Sequence, residues 1–147
     1  LMIQKMKKIK LLFSFVLSFF CFTLPVFSIP NFFTFTELKI LAEQAGFSPS
    51  ISPTVAAIGL AESSGDPSAH NYNTKTGDNS YGLMQINMIN FPYYQLGNSR
   101  RKEFGIKNNE ALFDPVVNMK AAKRVYDTSG FTAWSVYRHG TYKQYLR

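Results

Sequence analysis

The chain has 147 residues and carries 16 Lys and Arg against 9 Asp and Glu, which gives a formal net charge of +7. Its basic residues are scattered apart from Arg100-Arg101-Lys102 and lack interleaved aromatic residues, which argues against nucleic-acid binding. The only cysteine, Cys21, lies near the N-terminus, so the chain beyond it has neither a disulfide nor thiol chemistry.

The N-terminal residues have the three-part layout of a secretory signal peptide. A segment with four lysines precedes the apolar run Leu11–Phe22, and a helix break followed by the small residue Ser28 comes next. We expect cleavage after Ser28, and we interpret the residues before Met6 as an upstream extension of the reading frame. The apolar run is shorter than the ~20 residues that a membrane-spanning helix needs. An uncleaved anchor is the alternative.

Residues 29–147 are then the mature protein. Because the leader holds four lysines and no acidic residue, this part keeps 12 basic against 9 acidic residues. Its length suits one domain with one apolar core. A modest positive balance is compatible with an anionic polymer such as a cell wall.

Two helices are predicted first. Thr34 and Glu37 form the pattern of a capping box, and Gly46 ends the helix that follows. Ser52 then looks like an N-cap, with Pro53 at the first helical position. This second helix is apolar nearly all round up to the glycine stop at Gly65, which indicates a central, buried helix.

The next segment, Asp66–Ser80, is polar and rich in turn formers, which predicts a loop with a short hairpin beside a cleft. Tyr81–Asn87 is a compact apolar segment. Beyond it we predict a helix over Tyr93–Phe104 and a short helical turn over Asn109–Phe113.

A clear helix starts at Asp114-Pro115, an N-cap followed by an N1 proline, and ends at Gly130. Asn118 falls on its inner face, where a polar amide has to hydrogen-bond to backbone or to a neighbouring loop. One or two aromatic-rich helical segments over Phe131–Tyr145 complete a fold that we predict to be mostly α, in a single domain.

Glu62 is the most informative residue of the chain. It is a lone carboxylic acid at the end of the apolar helix, where loss of hydration and the negative end of the helix dipole both favour the protonated form. Cleavage of a glycosidic bond requires such an acid. On this residue alone, an acid that turns to solvent is the simpler interpretation.

Three blocks in order change that interpretation. They are Glu62-Ser63 at the end of a helix, Gly82-Leu83-Met84-Gln85-Ile86, and Leu112-Phe113-Asp114-Pro115-Val116-Val117-Asn118. Together they resemble the lysozyme-like superfamily, most closely the soluble-type lytic transglycosylases and the related goose-type lysozymes. The resemblance spans about residues 52–137. It implies a lysozyme-like fold, peptidoglycan glycan strands as the substrate, no cofactor, and Glu62 as the catalytic acid.

The residues beside Glu62 in these blocks are the candidates for substrate binding. Gly82 would let backbone approach a sugar closely, Met84 offers an adaptable apolar surface, and the Gln85 and Asn87 amides suit sugar hydroxyl and acetamido groups. The full set of candidates is Ser63, Tyr81, Gly82, Met84, Gln85, Asn87, Asn118, Trp134 and Tyr137.

The C-terminal block departs from the family pattern. The family usually has Ala-Tyr-Asn-Ala-Gly in this region, where this chain has Thr132-Ala133-Trp134-Ser135-Val136-Tyr137-Arg138-His139-Gly140. Trp134 or Tyr137 would take the place of the family tyrosine near the acid, and we prefer Tyr137. Either aromatic residue would serve equally well as core.

The second carboxylate decides between two reactions. C-type lysozymes have Asp before Tyr-Gly, whereas this chain has Ser80, so the resemblance favours a lytic transglycosylase, in which the 6-hydroxyl of the sugar attacks and a 1,6-anhydro product forms. A muramidase that uses Asp66 or Asp78 is one alternative, although both residues lie in turn sequences. A non-catalytic wall-binding or virion module is another.

The sequence also indicates where the protein acts and what it lacks. The leader predicts export to the periplasm or the outside, or association with a virion if a phage encodes the chain. His70 and His139 are the only histidines and have no metal-ligand spacing, so we expect no metal site and give them surface or hydrogen-bonding roles.

Overall fold

The computed structural model of the protein describes residues 32–91 and 95–147. The predicted signal peptide, residues 1–28, and the predicted helix start at Tyr93 lie outside these residues. Within them, no helix combines the length and the apolar character that crossing a membrane requires.

The first helix begins as predicted, whereas the second does not. Helix α1, Phe35–Gln44, has a capping box in which the Thr34 hydroxyl accepts from the Glu37 amide at 3.3 Å and the Glu37 carboxylate accepts from the Thr34 amide at 2.8 Å. The prediction that Ser52 caps α2, Ser52–Ser63, is wrong, since Ile51 is the N-cap. The Ser52 hydroxyl is buried and donates to Glu43 at 2.8 Å, so it joins α2 to α1.

The polar segment contains the predicted hairpin. Strands β1, His70–Asn73, and β2, Asp78–Tyr81, pair antiparallel, and β3, Ile86–Asn87, continues the sheet in the order β1-β2-β3. The register sets Asn71 opposite Ser80, Asn73 opposite Asp78, and Ser80 opposite Asn87. Directly opposed residues of an antiparallel pair project to the same side, so these five share one face of the sheet.

The second half is helical. It comprises α3, Leu96–Phe104, a 3-10 turn over Asn109–Phe113, α4, Pro115–Ser129, a 3-10 turn over Gly130–Ala133, α5, Ser135–Arg138, and a last 3-10 turn over Thr141–Tyr145. Helix α4 starts as predicted, because the Asp114 carboxylate accepts from the amides of Val116 and Val117, both at 2.9 Å. Gly130 caps its end.

Helix α2 is the centre of the core, as its apolar sequence predicts. Residues 55–59 are all buried. Gly59 allows α1 and the segment after β2 to pack tightly, since a Cβ there would lie 3.2 Å from the Met84 sulfur and 3.3 Å from a Leu38 methyl carbon. Glu62 lies on the last turn of this helix, so the packing of α2 in the core positions its backbone. The described residues form the mostly α fold that the sequence predicts.

Candidate active site

A polar cleft of about 410 Å³ lies beside the C-terminal end of α2. Glu62 lines one side of it, and the sheet face that carries Asp78 and Ser80 lines another. The remaining lining residues come from β1, the turn before β3, β3, α3, α4 and the C-terminal segments: Asn71, Gln85, Ile86, Asn87, Leu96, Arg100, Val125, Ala133, Trp134, Ser135 and Arg138.

Glu62 is a weak acid in this setting. Burial is the main cause that raises its pKa from the ordinary value of 4.5 to about 7, and the negative charge of Asp78 adds to the increase. The positive charge of Arg138 acts in the opposite direction. Loss of hydration penalises the carboxylate form, and a second carboxylate penalises it further. Glu62 therefore holds a proton near neutral pH and can give it up within the range where enzymes work.

Asp78 and Asp66 have different surroundings. Asp78 faces the cleft from β2, and its carboxylate accepts a hydrogen bond of 2.6 Å from the Thr76 hydroxyl. Asp66 accepts from the Ser68 amide and hydroxyl at 2.8 and 2.7 Å, which makes it the turn residue that its sequence indicates. Only Asp78 of the two lines the cleft.

Gln85 and Asn87 line the cleft as predicted, but part of each amide is already in use. The Gln85 nitrogen donates to the Ala69 and Gly82 carbonyls at 3.1 and 3.0 Å. The Asn87 nitrogen donates to the Gly77 carbonyl at 2.8 Å, and its oxygen accepts from the backbone amides of residues 79 and 89. Asn87 thus holds the hairpin, while the Gln85 oxygen makes no hydrogen bond to the described part of the chain and suits a sugar donor.

Three of the predicted substrate contacts, Asn118, Met84 and Gly82, have structural roles inside the protein instead. Asn118 is fully buried and joins three segments: its oxygen accepts from the Met84 amide at 2.9 Å, and its nitrogen donates to the carbonyls of Tyr81 and Leu112, both at 2.8 Å. This confirms that its amide bonds to a neighbouring loop and corrects its assignment to the substrate. Met84 is 1% exposed and packs in the core, so it offers no surface to a sugar.

Gly82 lacks a side chain because of its neighbours within the protein, and not because of a sugar. Its φ is +72°, and a Cβ there would lie 2.3 Å from both the Asn118 amide nitrogen and the Leu112 carbonyl oxygen. The glycine makes room for the buried Asn118 amide, and not for the substrate as the sequence suggested.

Tyr81 and Ser63 also point to structural roles. Tyr81 is 7% exposed and packs against the rings of His70 and Phe113, with centroids 4.3 and 5.4 Å away. The Ser63 hydroxyl donates to the Gly59 carbonyl at 3.0 Å and accepts from the Gly65 amide at 3.2 Å, which closes the end of α2. Neither is among the residues that line the cleft, and a substrate-binding role for either stays a prediction.

Of the two C-terminal aromatic residues, Trp134 and not the preferred Tyr137 lines the cleft with Glu62. The Trp134 indole donates to the Met84 carbonyl at 2.9 Å, which fixes the ring next to the motif that follows β2. Tyr137 stacks on Tyr142 at 4.9 Å and packs against Phe131 at 5.1 Å. Tyr137 is therefore part of an aromatic cluster outside the cleft lining.

Sequence reasoning missed two arginines of the cleft, Arg100 and Arg138. The Arg100 guanidinium donates to the Asn87 carbonyl at 2.5 Å, and the Arg138 guanidinium to the Thr132 carbonyl at 2.6 Å. Arg138 follows Trp134 by four residues, a helical spacing that could have placed both on one side.

The histidines have the hydrogen-bonding and surface roles expected of them. His70 Nε2 lies 2.9 Å from the Asn79 side-chain oxygen, and His139 is exposed. No group of three or more His, Cys, Asp or Glu side chains that could hold a metal ion occurs within residues 32–91 and 95–147.

Comparison with known families decides the assignment of this fold. The family profile described as a lysozyme-like domain matches residues 39–136, from α1 into α5, and so covers Glu62 and the whole sheet. The chain belongs to the lysozyme-like domain family. A search of curated proteins gives no match. Membership in the lysozyme-like family supports a glycosidase-type enzyme that acts on peptidoglycan, with the cleft around Glu62 as its candidate active site.

The raised pKa of Glu62 predicts how the stability of this lysozyme-like domain depends on pH. Because the folded pKa of about 7 exceeds the ordinary 4.5, the folded state binds the proton more tightly, so the contribution of Glu62 to stability is fully present below pH 4.5 and is lost as the pH rises through 7. The difference corresponds to about 3 kcal/mol. We expect Glu62→Gln to have a higher free energy of unfolding than wild type at about pH 8 and the same free energy of unfolding at about pH 4, as measured by urea denaturation.

Proposed function

We propose that the protein is a lytic transglycosylase that cleaves the β-1,4 bond between MurNAc and GlcNAc in peptidoglycan. The observation that carries this proposal is Glu62, an acid that holds its proton near neutral pH and lines the cleft of a lysozyme-like domain. A carboxylic acid of this kind can protonate a leaving oxygen and then act as a base.

The proposed step uses one carboxyl group twice. The Glu62 proton passes to the glycosidic oxygen as the bond from the MurNAc C1 breaks, and GlcNAc leaves with a free 4-hydroxyl. The 6-hydroxyl of the same MurNAc then attacks C1 and gives its proton to the Glu62 carboxylate. A 1,6-anhydro bond replaces the glycosidic bond, no water is consumed, and Glu62 regains its proton for the next turnover.

Ser80 supports this choice over hydrolysis. It lines the cleft from β2 at the position before Tyr81-Gly82, where C-type lysozymes have an aspartate. A serine hydroxyl stays protonated at neutral pH, so it can neither stabilise an oxocarbenium ion as an anion does nor form a glycosyl carboxylate. With no carboxylate at this position, attack by the 6-hydroxyl of the sugar is the proposed route.

The mass of the released muropeptides tests the proposed function. Purified peptidoglycan is digested with the protein, and the soluble products are compared with those of a known muramidase. We expect 1,6-anhydro products, each lighter by one water than the corresponding muramidase product. Products with a free reducing end would overturn the proposal.

Hydrolysis with Asp78 is the second candidate, because Asp78 lines the same cleft and its charge acts on Glu62. If the transglycosylase proposal holds, Asp78→Asn leaves the anhydro products unchanged and reduces cleavage by less than about tenfold. The loss of the Asp78 charge also lowers the Glu62 pKa, so activity should fall off at a lower pH than in wild type.

Asp66→Asn is the matched control for this experiment, since Asp66 lies in a turn outside the cleft. A loss of about a thousandfold in Asp78→Asn, with Asp66→Asn unaffected, would assign Asp78 a direct part in the chemistry and favour a muramidase.

We also propose that the protein is exported, on the basis of the leader in residues 1–28. Expression with the leader followed by N-terminal sequencing of the exported protein tests this. A start at Ile29 is the expected result, and a protein retained in the cytoplasm would contradict it.

A further inference from the structure

Arg138 lines the cleft and forms no ion pair with the described residues. It is the last residue of α5, its side chain lines the cleft with Glu62, and the residue is exposed to solvent. One guanidinium nitrogen, Nη1, donates to the Thr132 carbonyl at 2.6 Å, which anchors one edge of the group. Nε and Nη2 make no hydrogen bond to residues 32–91 or 95–147, so these donors are available to a ligand.

Neither carboxyl group that lines the cleft, Glu62 or Asp78, forms an ion pair with Arg138. No ion pair joins Arg138 to an acidic side chain in the described part of the chain, where the ion pairs are Lys39–Glu43 and Lys123–Asp127. Glu62, with a pKa of about 7, is only partly ionised near neutral pH and therefore offsets only part of the charge. A guanidinium whose Nε and Nη2 are free to donate fits a carboxylate better than any neutral sugar group, since such bonds are charge-assisted.

We infer that Arg138 binds a carboxylate carried by the muramyl residue of the glycan and makes the cleft selective for acidic strands over neutral ones. This inference rests on the proposed peptidoglycan substrate. The hydroxyl and acetamido groups of that polymer are neutral, whereas the lactyl group of MurNAc, or the stem peptide attached to it, carries a carboxylate. Arg138 is thus a specificity residue, separate from the proton transfers of Glu62.

Binding measurements on an inactive protein test the inference without relying on catalysis. Glu62→Gln and Glu62→Gln/Arg138→Gln are titrated with soluble glycan strands and with the same strands after their carboxylates are converted to neutral amides. We expect amidation to weaken binding to Glu62→Gln by about tenfold, as the loss of a charge-assisted hydrogen bond does. The double variant should lose less than twofold on amidation.

Two further arms sharpen the result. Strands with and without stem peptides distinguish the two sources, because the lactyl carboxyl is a neutral amide wherever a peptide is attached. Sensitivity to amidation on fully peptide-bearing strands assigns the stem-peptide carboxylates, and sensitivity confined to strands without stem peptides assigns the lactyl carboxylate. Arg124→Gln, which changes an exposed arginine of α4 outside the cleft lining, is the matched control and should behave as its parent.

Equal sensitivity to amidation with and without Arg138 would overturn the inference. A protein that binds acidic strands through Arg138 but releases hydrolytic products, or no products, would refute the proposed reaction and leave the inference standing. Thermal unfolding of each variant shows whether loss of the Thr132 contact alters the fold, and Arg138→Lys should regain part of the selectivity because it keeps the charge.

Discussion

Glu62→Gln is expected to lower the clearing of purified cell wall by at least about a thousandfold, because the substitution removes both the proton donor and the base of the proposed step. Glutamine has the shape of the protonated acid and carries no titratable proton, so the cleft and its lining stay as they are. The rate of turbidity loss of a wall suspension measures the effect. Sedimentation with the wall should show that binding is retained.

Two features separate this result from a folding defect. Glu103→Gln changes an exposed glutamate of α3 outside the cleft and should clear wall at the wild-type rate. Glu62→Gln should also be no less stable than wild type at any pH, since it removes a buried acid whose ionisation opposes folding. Full clearing by Glu62→Gln would refute the catalytic assignment, whereas wild type that binds wall without clearing it would favour a wall-binding module without activity.

Asn118→Ala is expected to cost about 4 kcal/mol of unfolding free energy, the largest stability effect of a single polar residue that we propose. The substitution leaves the Met84 amide and the carbonyls of Tyr81 and Leu112 without partners in the interior, and each such group costs about 1–3 kcal/mol. It also leaves a cavity between α4 and the segment after β2. Urea denaturation at a fixed pH gives the difference.

Asn98→Ala is the control for this substitution, because Asn98 is an exposed asparagine of α3 and should lose less than about 1 kcal/mol. If Asn118→Ala is too unstable to purify, amide exchange on wild type replaces it. The Met84 amide, which donates to Asn118, should then exchange only through global unfolding. Fast local exchange there, or a small loss in Asn118→Ala, would show that this network does not hold the motif.

Local patterns in the sequence predict much of the fold. The capping box at Thr34, the N-cap and proline at Asp114-Pro115, and the glycine at Gly130 act over a few residues, so their signals survive in the sequence. The Ser52 prediction fails for a tertiary reason. Its hydroxyl donates to Glu43 on α1 instead of capping its own helix, and a contact between two helices is not visible in a local pattern.

The candidate site likewise has features that the sequence predicts and features that it does not. The raised pKa of Glu62 is predictable, because the residue lies at the end of an apolar helix and burial is the main cause of the increase. The contribution of Asp78 to the Glu62 pKa is not predictable, because a turn-rich sequence does not tell which residues of β2 face the cleft. The pairing with β1 puts Asp78 and Ser80 on one face of the sheet, and that face lines the cleft.

The family blocks mark the site without telling which side chains contact the ligand. Gly82, Met84 and Asn118 belong to those blocks, yet they pack against one another and hold the segment after β2 in place. Arg138 lies where the C-terminal block departs from the family pattern, so the resemblance gives no guide to it. Its role follows from the short helix α5 that brings it to the cleft.

The side-chain carboxyl of Glu62 can be titrated directly by carbon-detected NMR, with the Glu62→Gln spectrum identifying its signal. This measurement tests the central claim, that the cleft keeps a catalytic acid protonated near neutral pH. We expect a midpoint near pH 7, and a lower midpoint in Asp78→Asn. A midpoint near the ordinary 4.5 would mean that Glu62 is ionised at neutral pH and cannot serve as the acid.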